Sequence, residues 1–142
     1  MNDEILKLEN QLCFPLYAAS KEIVNRYKPF LDKIDLTYTQ YIVMMVLWEH
    51  KSISVKELGK HLYLDSGTLT PVLKRLESKG FVERIRSLED ERNVNVTLTE
   101  TGEGLKEKAV SIPSEMGKCL PLSPEEAKTL YTLLYKLLDQ MG

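Results

Sequence analysis

A chain of 142 residues, 43% hydrophobic and 28% charged, has the size and balance of one compact domain, which excludes disordered and collagen-like polymers. A formal net charge of -2 excludes wholesale electrostatic binding to nucleic acid or membrane, while leaving room for a local basic face. No apolar run approaches the roughly 20 residues of a membrane span, and the first residues, Met1-Asn2-Asp3-Glu4, are acidic rather than leader-like, so a cytoplasmic protein with no membrane partner is expected. Two cysteines 106 positions apart, with His50 and His61, offer neither a disulfide framework nor metal-ligand spacing, so no metal and no cofactor are expected.

Between residues 4 and 31, Ile5, Leu8, Leu12, Leu16, Ala19 and Ile23 recur at three- and four-residue steps, which predicts a long first helix with one buried face. Pro15 removes a backbone hydrogen bond and crowds the Gln11 carbonyl, so this helix either kinks near Cys13 or begins just before the proline. Thr37-Tyr38-Thr39-Gln40 has the form of a capping box and opens a strongly apolar second helix, Ile42 to Trp48, expected in the core. Ser54-Val55-Lys56-Glu57 has the same form and starts a short helix carrying Leu58 and Leu62. After a break at residues 63–67, Leu69, Val72, Leu73 and Leu76 mark the next helix, with Gly80 placed to end it. Two such helices joined by a short turn outline a helix-turn-helix.

Phe81 to Arg86 is rich in β-formers and Val94 to Leu98 alternates strictly, which predicts a hairpin whose long tip, Ser87 to Asn93, is charged. A helix-turn-helix followed by such a hairpin is a winged helix. Beyond Thr99 a helix runs through Leu105, Ala109 and Ile112 toward Pro113, and no clear period follows until Pro121. Ser123-Pro124-Glu125-Glu126 then opens a last helix with Leu130, Leu133, Leu134, Leu137 and Leu138 on a wide apolar face. The expected fold is mainly α with a small β-hairpin wing, in one domain spanning 1–142. Residues 36–98 would form the winged helix-turn-helix, with helical dimerisation segments at 1–35 and 99–142.

Charge is distributed to match. From Ser66 to Arg86 there are five basic residues (Lys74, Arg75, Lys79, Arg84, Arg86) against two acidic ones (Glu77, Glu83), a local net of +3. Phosphate neutralisation needs Lys and Arg opposite the core, whereas base edges need short polar or bidentate side chains near the recognition-helix N-terminus. Ser66, Thr68, Thr70 and Pro71 occupy that N-terminus, with Lys74 and Arg75 a turn further and Arg84 and Arg86 on the hairpin. An isolated Lys-Arg pair would be read as a solvated helix face, and the order of helix, turn, helix and hairpin is what favours double-stranded DNA as partner.

Leu69-Thr70-Pro71-Val72-Leu73-Lys74-Arg75-Leu76-Glu77, Gly80-Phe81-Val82, Asp90-Glu91-Arg92-Asn93 and Leu98-Thr99-Glu100-Thr101-Gly102 resemble, in that order, the signatures of the MarR family of winged-helix repressors. The resemblance covers nearly the whole chain. It implies that Arg92 reaches into the minor groove, that Asp90 is a structural partner of a nearby arginine, and that a two-fold homodimer binds a pseudo-palindromic operator. A guanidinium suits a narrow groove of enhanced negative potential.

On a regular helix Cys13, Tyr17, Val24 and Tyr27 project within about 80° of one another. Fourteen residues nonetheless separate Cys13 from Tyr27 by roughly 21 Å, so only two antiparallel copies crossing near residue 20 would bring the two together. Phenolic hydroxyls that donate to sulfur favour the thiolate, the form that attacks peroxide. Leu12-Cys13-Phe14-Pro15-Leu16-Tyr17, Tyr27 and Leu36-Thr37-Tyr38-Thr39-Gln40-Tyr41 resemble the organic-hydroperoxide-sensing branch of that family. Pro15 departs from the branch's pattern. The resemblance implies that Cys13 is the reactive cysteine, that Tyr27 and Tyr38, with Tyr17 close by, stabilise its thiolate, and that Cys119 is the resolving cysteine. By themselves, the cysteines fit small buried hydrophobes and the tyrosines core aromatics.

The expected function is a redox-sensing repressor, not an enzyme, that releases its operator when organic hydroperoxide oxidises Cys13 and an intersubunit disulfide with Cys119 follows. Two alternatives stand beside it: a regulator controlled by a small phenolic ligand, and a thiol peroxidase, which would need catalytic turnover with a reductant. No Walker A, dinucleotide-binding or nucleophile-elbow motif is present.

Overall fold

The computed structural model describes residues 3–86, 89 and 93–142. Two compact units divide the chain, one ending at Val110 and one running from Ser111 to Gly142.

In the first unit, residues 3–10 form two short 3-10 turns, Asp3–Leu6 and Leu8–Asn10, rather than the first turns of a long helix. Side-chain amides hold them: Asn10 Nδ2 donates to the Glu4 carbonyl at 2.8 Å, and Gln11 Nε2 donates to the carbonyls of Ile5 and Lys7 at 2.7 and 2.8 Å. Helix α1 begins at Cys13 and runs to Asp32. Pro15 therefore sits in its first turn, where its missing N–H would have lacked an intrahelical acceptor in any case. The expected buried face is a further correction: Ile5, Leu8, Leu12 and Leu16 are all exposed in the isolated chain.

Helix α2, Tyr38–His50, opens on the predicted capping box: Thr37 Oγ1 accepts from the Gln40 N–H at 3.2 Å, and Gln40 Oε1 accepts from the Thr37 N–H at 3.1 Å. The helix buries Tyr41, Val43, Met44, Leu47 and Trp48. A short strand absent from the sequence reading, β1 at Ser52–Ser54, precedes α3, Val55–Leu62. At α3 only the forward half of the expected box forms, since Ser54 Oγ accepts from the Glu57 N–H while the Glu57 carboxylate pairs with Lys60. A turn of three residues, with Tyr63 left-handed at φ 56°, leads into α4, Ser66–Ser78. Leu69, Leu73 and Leu76 of α4 and Leu58 of α3 are almost completely excluded from solvent, and these side chains fix the angle at which α4 is presented.

The hairpin forms as read, with β2 at Val82–Arg86 and β3 at Val94–Leu98 in antiparallel register Val82 to Leu98. Strand β1 pairs with the other edge of β3, giving the order β1-β3-β2. Gly80 takes φ 81°, a conformation that terminates a helix without Cβ strain. Thr99 locks the hairpin exit: its hydroxyl donates to the Gly80 carbonyl at 2.6 Å and accepts from the Gly102 N–H at 3.1 Å, capping α5, Glu100–Ala109. At Gly102 a Cβ would collide with the Phe81 carbonyl, and the Gly102 carbonyl accepts from Trp48 Nε1 at 2.9 Å. The Leu98 to Gly102 signature is thus the joint between wing and α2.

The second unit holds α6, Ile112–Cys119, and α7, Pro124–Met141. Ser123 and Glu126 form the predicted capping box, with Pro124 at the first helical position. No residue of α7 is buried, and Leu130, Tyr131, Leu133, Tyr135, Leu137, Leu138 and Met141 are all open to solvent. No helix among the described residues is long and apolar enough to cross a membrane.

Candidate functional site

The core side of α4 sets what its other side offers. With Leu69, Leu73 and Leu76 turned inward, Ser66, Thr68, Pro71, Lys74 and Arg75 are exposed together, as the periodicity requires. Asp65, which the sequence reading left within the turn, caps the helix: Oδ1 accepts from the Thr68 N–H at 2.7 Å. That backbone hydrogen bond, reinforced by the Thr68 hydroxyl, holds its carboxyl below the usual range. Thr70 is only half-exposed, and its hydroxyl donates to the Ser66 carbonyl at 2.7 Å, so its proton is already committed.

The wing divides its two described arginines. Arg86 is exposed at the end of β2. Arg84 is turned toward α4, with its guanidinium 3.1 Å from Glu77 Oε1 and its backbone N–H donating to Glu77 Oε2 at 3.2 Å. Hydrogen bonding from the Arg84 side chain keeps the Glu77 carboxyl below its ordinary value. Arg84 thus ties hairpin to recognition helix. Asp90 and Arg92 lie outside the described residues.

The sulfur and its expected partners are separated within one chain. Cys13 is exposed in the first turn of α1, where Leu12 supplies no side-chain cap, so backbone N–H groups of that turn face outward without one. Tyr17 is exposed one turn on, with Lys21 Nζ 5.2 Å from its ring centre. Tyr27 lies at the far part of the helix, against Tyr38 at 4.9 Å and Tyr41 at 5.8 Å between ring centres, and Tyr38 and Tyr41 are 6.2 Å apart. Tyr41 also meets Trp48 edge-on at 6.4 Å, anchoring the cluster to the core. Burial raises the Tyr27 phenol, and burial, then the neighbouring Tyr27 and Tyr38, push Tyr41 up to about 12, so Tyr27 and Tyr41 keep their O–H protons at neutral pH. Beside Tyr38 is a cavity of about 190 Å³ bordered by Val24, Lys28, Leu31, Leu36 and Thr37. Cys119 is exposed at the last residue of α6, in the second unit.

Sequence reasoning gave no site role to Tyr41 or Asp65, and counted Glu77 and Lys79 only toward the local charge. Tyr41 had a usable signal, lying three residues after Tyr38 and so on the same helical face. Asp65 had one too, since an aspartate before a helical run is a preferred N-cap. Glu77 and Lys79 meet partners that only the tertiary fold brings near.

Comparison with known proteins gives a consistent picture. A family model described as transcriptional regulator SarA/Rot matches residues 25–109. The organic hydroperoxide resistance transcriptional regulator of Bacillus subtilis is 54% identical over 136 residues, spanning 96% of this chain and 92% of that one. Reduced AbfR bound to DNA, a protein of Staphylococcus epidermidis, superposes with a TM-score of 0.80 at 36% identity, covering 99% of this chain and 97% of its own. Disulfide-formed AbfR superposes less closely, with a TM-score of 0.68 at 35% identity over 98% and 95%.

Proposed function

The chain belongs to the SarA/Rot family of transcriptional regulators, with the winged-helix architecture of MarR-type proteins, and on that premise we propose a homodimeric, DNA-binding repressor that organic hydroperoxide switches through Cys13. One observation carries the sensing part. Cys13 opens α1, while Tyr27 lies toward the other end of α1 against Tyr38 and Tyr41 of α2, so a second, antiparallel copy would complete the site by seating its Cys13 near the cavity beside Tyr38. The exposed apolar residues near the N-terminus and along α7 supply the surface such a copy would cover.

In the proposed dimer the thiolate of Cys13 is held by the phenolic O–H donors and by its place at a helix N-terminus. Its sulfur attacks a peroxide oxygen: an S–O bond forms, the O–O bond breaks, and the alkoxide leaves and is protonated to the alcohol. Sulfur is oxidised by two electrons as the peroxide is reduced. Cys119 of the second copy then attacks the sulfenic sulfur, forming the disulfide and releasing water. A disulfide needs Cα atoms within about 7 Å, so closing it displaces whole segments, and the two recognition helices leave the spacing of successive major grooves. In the cytoplasm, thiol reductants would restore the reduced state.

On the DNA side, Ser66, Thr68, Thr70 and Pro71 face base edges, Lys74, Arg75 and Arg86 face phosphates, and Arg92 enters the minor groove of a pseudo-palindromic operator. Arg84 positions the wing through Glu77. Membership of a transcription-regulator family, rather than of an enzyme family, sets this reading apart from a thiol peroxidase.

Serine at position 13 keeps the size of cysteine and loses its nucleophile. Cys13→Ser protein should bind operator normally and ignore organic hydroperoxide, and mass spectrometry of the wild type should find the first added oxygen on Cys13. In Cys119→Ser the covalent dimer seen on non-reducing gels should vanish while DNA release becomes slower or partial. Release of DNA from Cys13→Ser by oxidant would overturn the assignment.

A further inference from the structure

We propose that Lys79 is the positioning residue through which the state of the tyrosine cluster reaches the recognition helix. This inference rests on the redox reading above and adds the route by which that site acts on DNA binding.

Lys79 follows α4 directly, and its backbone N–H is tied to the last turn through the carbonyls of Arg75 and Glu77. Its side chain leaves the helix and crosses to the corner between α1 and α2. There Nζ donates to the Asp35 carbonyl and to Gln40 Oε1, the latter at 3.0 Å, and lies 3.6 Å from the Asp35 carboxylate. These contacts join residues 44 and 39 positions apart, and only a quarter of the Lys79 side chain, 26%, remains accessible. A lysine reaching for solvent would not be held in this way.

The receiving corner is a tightly determined structure. Asp35 has φ 55°, a left-handed conformation unfavourable for a residue with a Cβ, and the lysine fixes the direction of its carbonyl. Gln40 is 2% exposed, and its single amide oxygen accepts from both the Thr37 N–H and Lys79 Nζ. Removing either donor leaves part of a buried acceptor's capacity unfilled. Gln40 belongs to the same helical turn as Tyr38 and Tyr41, whose rings pack on Tyr27. When Tyr38 moves to accommodate an oxidised or disulfide-bonded sulfur, the turn carrying Gln40 moves with it, and Lys79 passes that displacement to the end of α4. The chain of contacts is short, hydrogen-bonded and attached at both ends to regular helices, as a carrier of coupling must be.

The discriminating readout is the ratio of operator affinities in the reduced and hydroperoxide-oxidised states, measured on full-length protein at fixed salt. A residue that only braces the fold would weaken both states alike. Lys79→Met keeps the apolar stem and removes charge and donors, and it should shrink the ratio by about tenfold or more, within the usual range of coupling between sites. Gln40→Glu keeps the cap and the acceptor for Lys79, and should preserve the ratio within about threefold by the same scale. Lys79→Gln, held to the same threshold as Lys79→Met, serves if the methionine variant is poorly folded. A Lys79 variant whose ratio matches the wild type would overturn the inference while leaving the sensor intact. A wild-type ratio near one would instead overturn the redox reading itself.

Discussion

The winged unit and the outermost segments, residues 3–16 and α7, both carry regularly spaced apolar residues and treat them in opposite ways. In the first, Leu58, Leu69, Leu73, Leu76, Val82 and Val96 are excluded from solvent by their own chain. In the second, Ile5, Leu8, Leu12, Leu16, Leu133 and Leu137 remain open. The difference separates apolar residues that the chain covers with its own contacts from apolar residues that it leaves exposed, which the proposed dimer would cover. On the proposed function it would also separate tasks: the closed part would hold the DNA-reading surface, and the open part would carry Cys13, whose chemistry would draw on the partner's tyrosines.

The largest expected effect breaks this contrast at its closed end. Leu73→Ala should cost about 2–5 kcal/mol of unfolding free energy, because a well-packed helix contact refills poorly. Equilibrium denaturation of the purified protein checks it. The paired Leu133→Glu, Leu137→Glu substitution should leave helix content nearly unchanged by circular dichroism and convert dimer to monomer in sedimentation. A dimer that survives those charges, or a Leu73 variant as stable as wild type, would erase the distinction.

Smaller effects sharpen it at the DNA surface. Lys74→Ala should weaken operator binding severalfold and lower the salt slope by about 1, the signature of one lost phosphate contact. Arg84→Ala should also weaken binding, through a loosened wing, but leave the salt slope unchanged because its charge is spent on Glu77. Equal loss of slope in both would place Arg84 on the phosphates with Lys74.

The smallest effect concerns the tyrosine cluster. Burial raises the Tyr41 phenol to about 12 in the folded chain against 10.0 when free, so folding favours the protonated form. Its contribution to stability is whole below pH 10 and is lost as pH rises through 12. Spectrophotometric titration should show a late-ionising tyrosine near pH 12, beyond Tyr27, whose phenol is also raised, and Tyr41→Phe should remove that last step.

How far the sequence could be read follows the same division. Periodicity placed the helices of the winged unit and both strands of the hairpin, because their apolar faces are buried by neighbours close in the chain. The strand at Ser52–Ser54 escaped notice, since three residues carry too little alternation to register and its partner lies 43 positions away. The first helix was drawn too long because Ile5, Leu8 and Leu12 keep helical spacing, yet the amides of Asn10 and Gln11 hold that segment as 3-10 turns. The site residues are expectations from helix position, local charge and motif resemblance, whereas the contact of Arg84 with Glu77 and the reach of Lys79 depend on distances only the folded chain supplies.

One measurement tests the central claim most directly: titration of the wild-type protein onto operator DNA in reduced form, after organic hydroperoxide, and again after a thiol reductant. Tight binding, loss and recovery, with recovery restoring the starting affinity, is the predicted sequence. Affinity unchanged by the hydroperoxide, in protein whose Cys13 is shown by mass spectrometry to be oxidised, would contradict it.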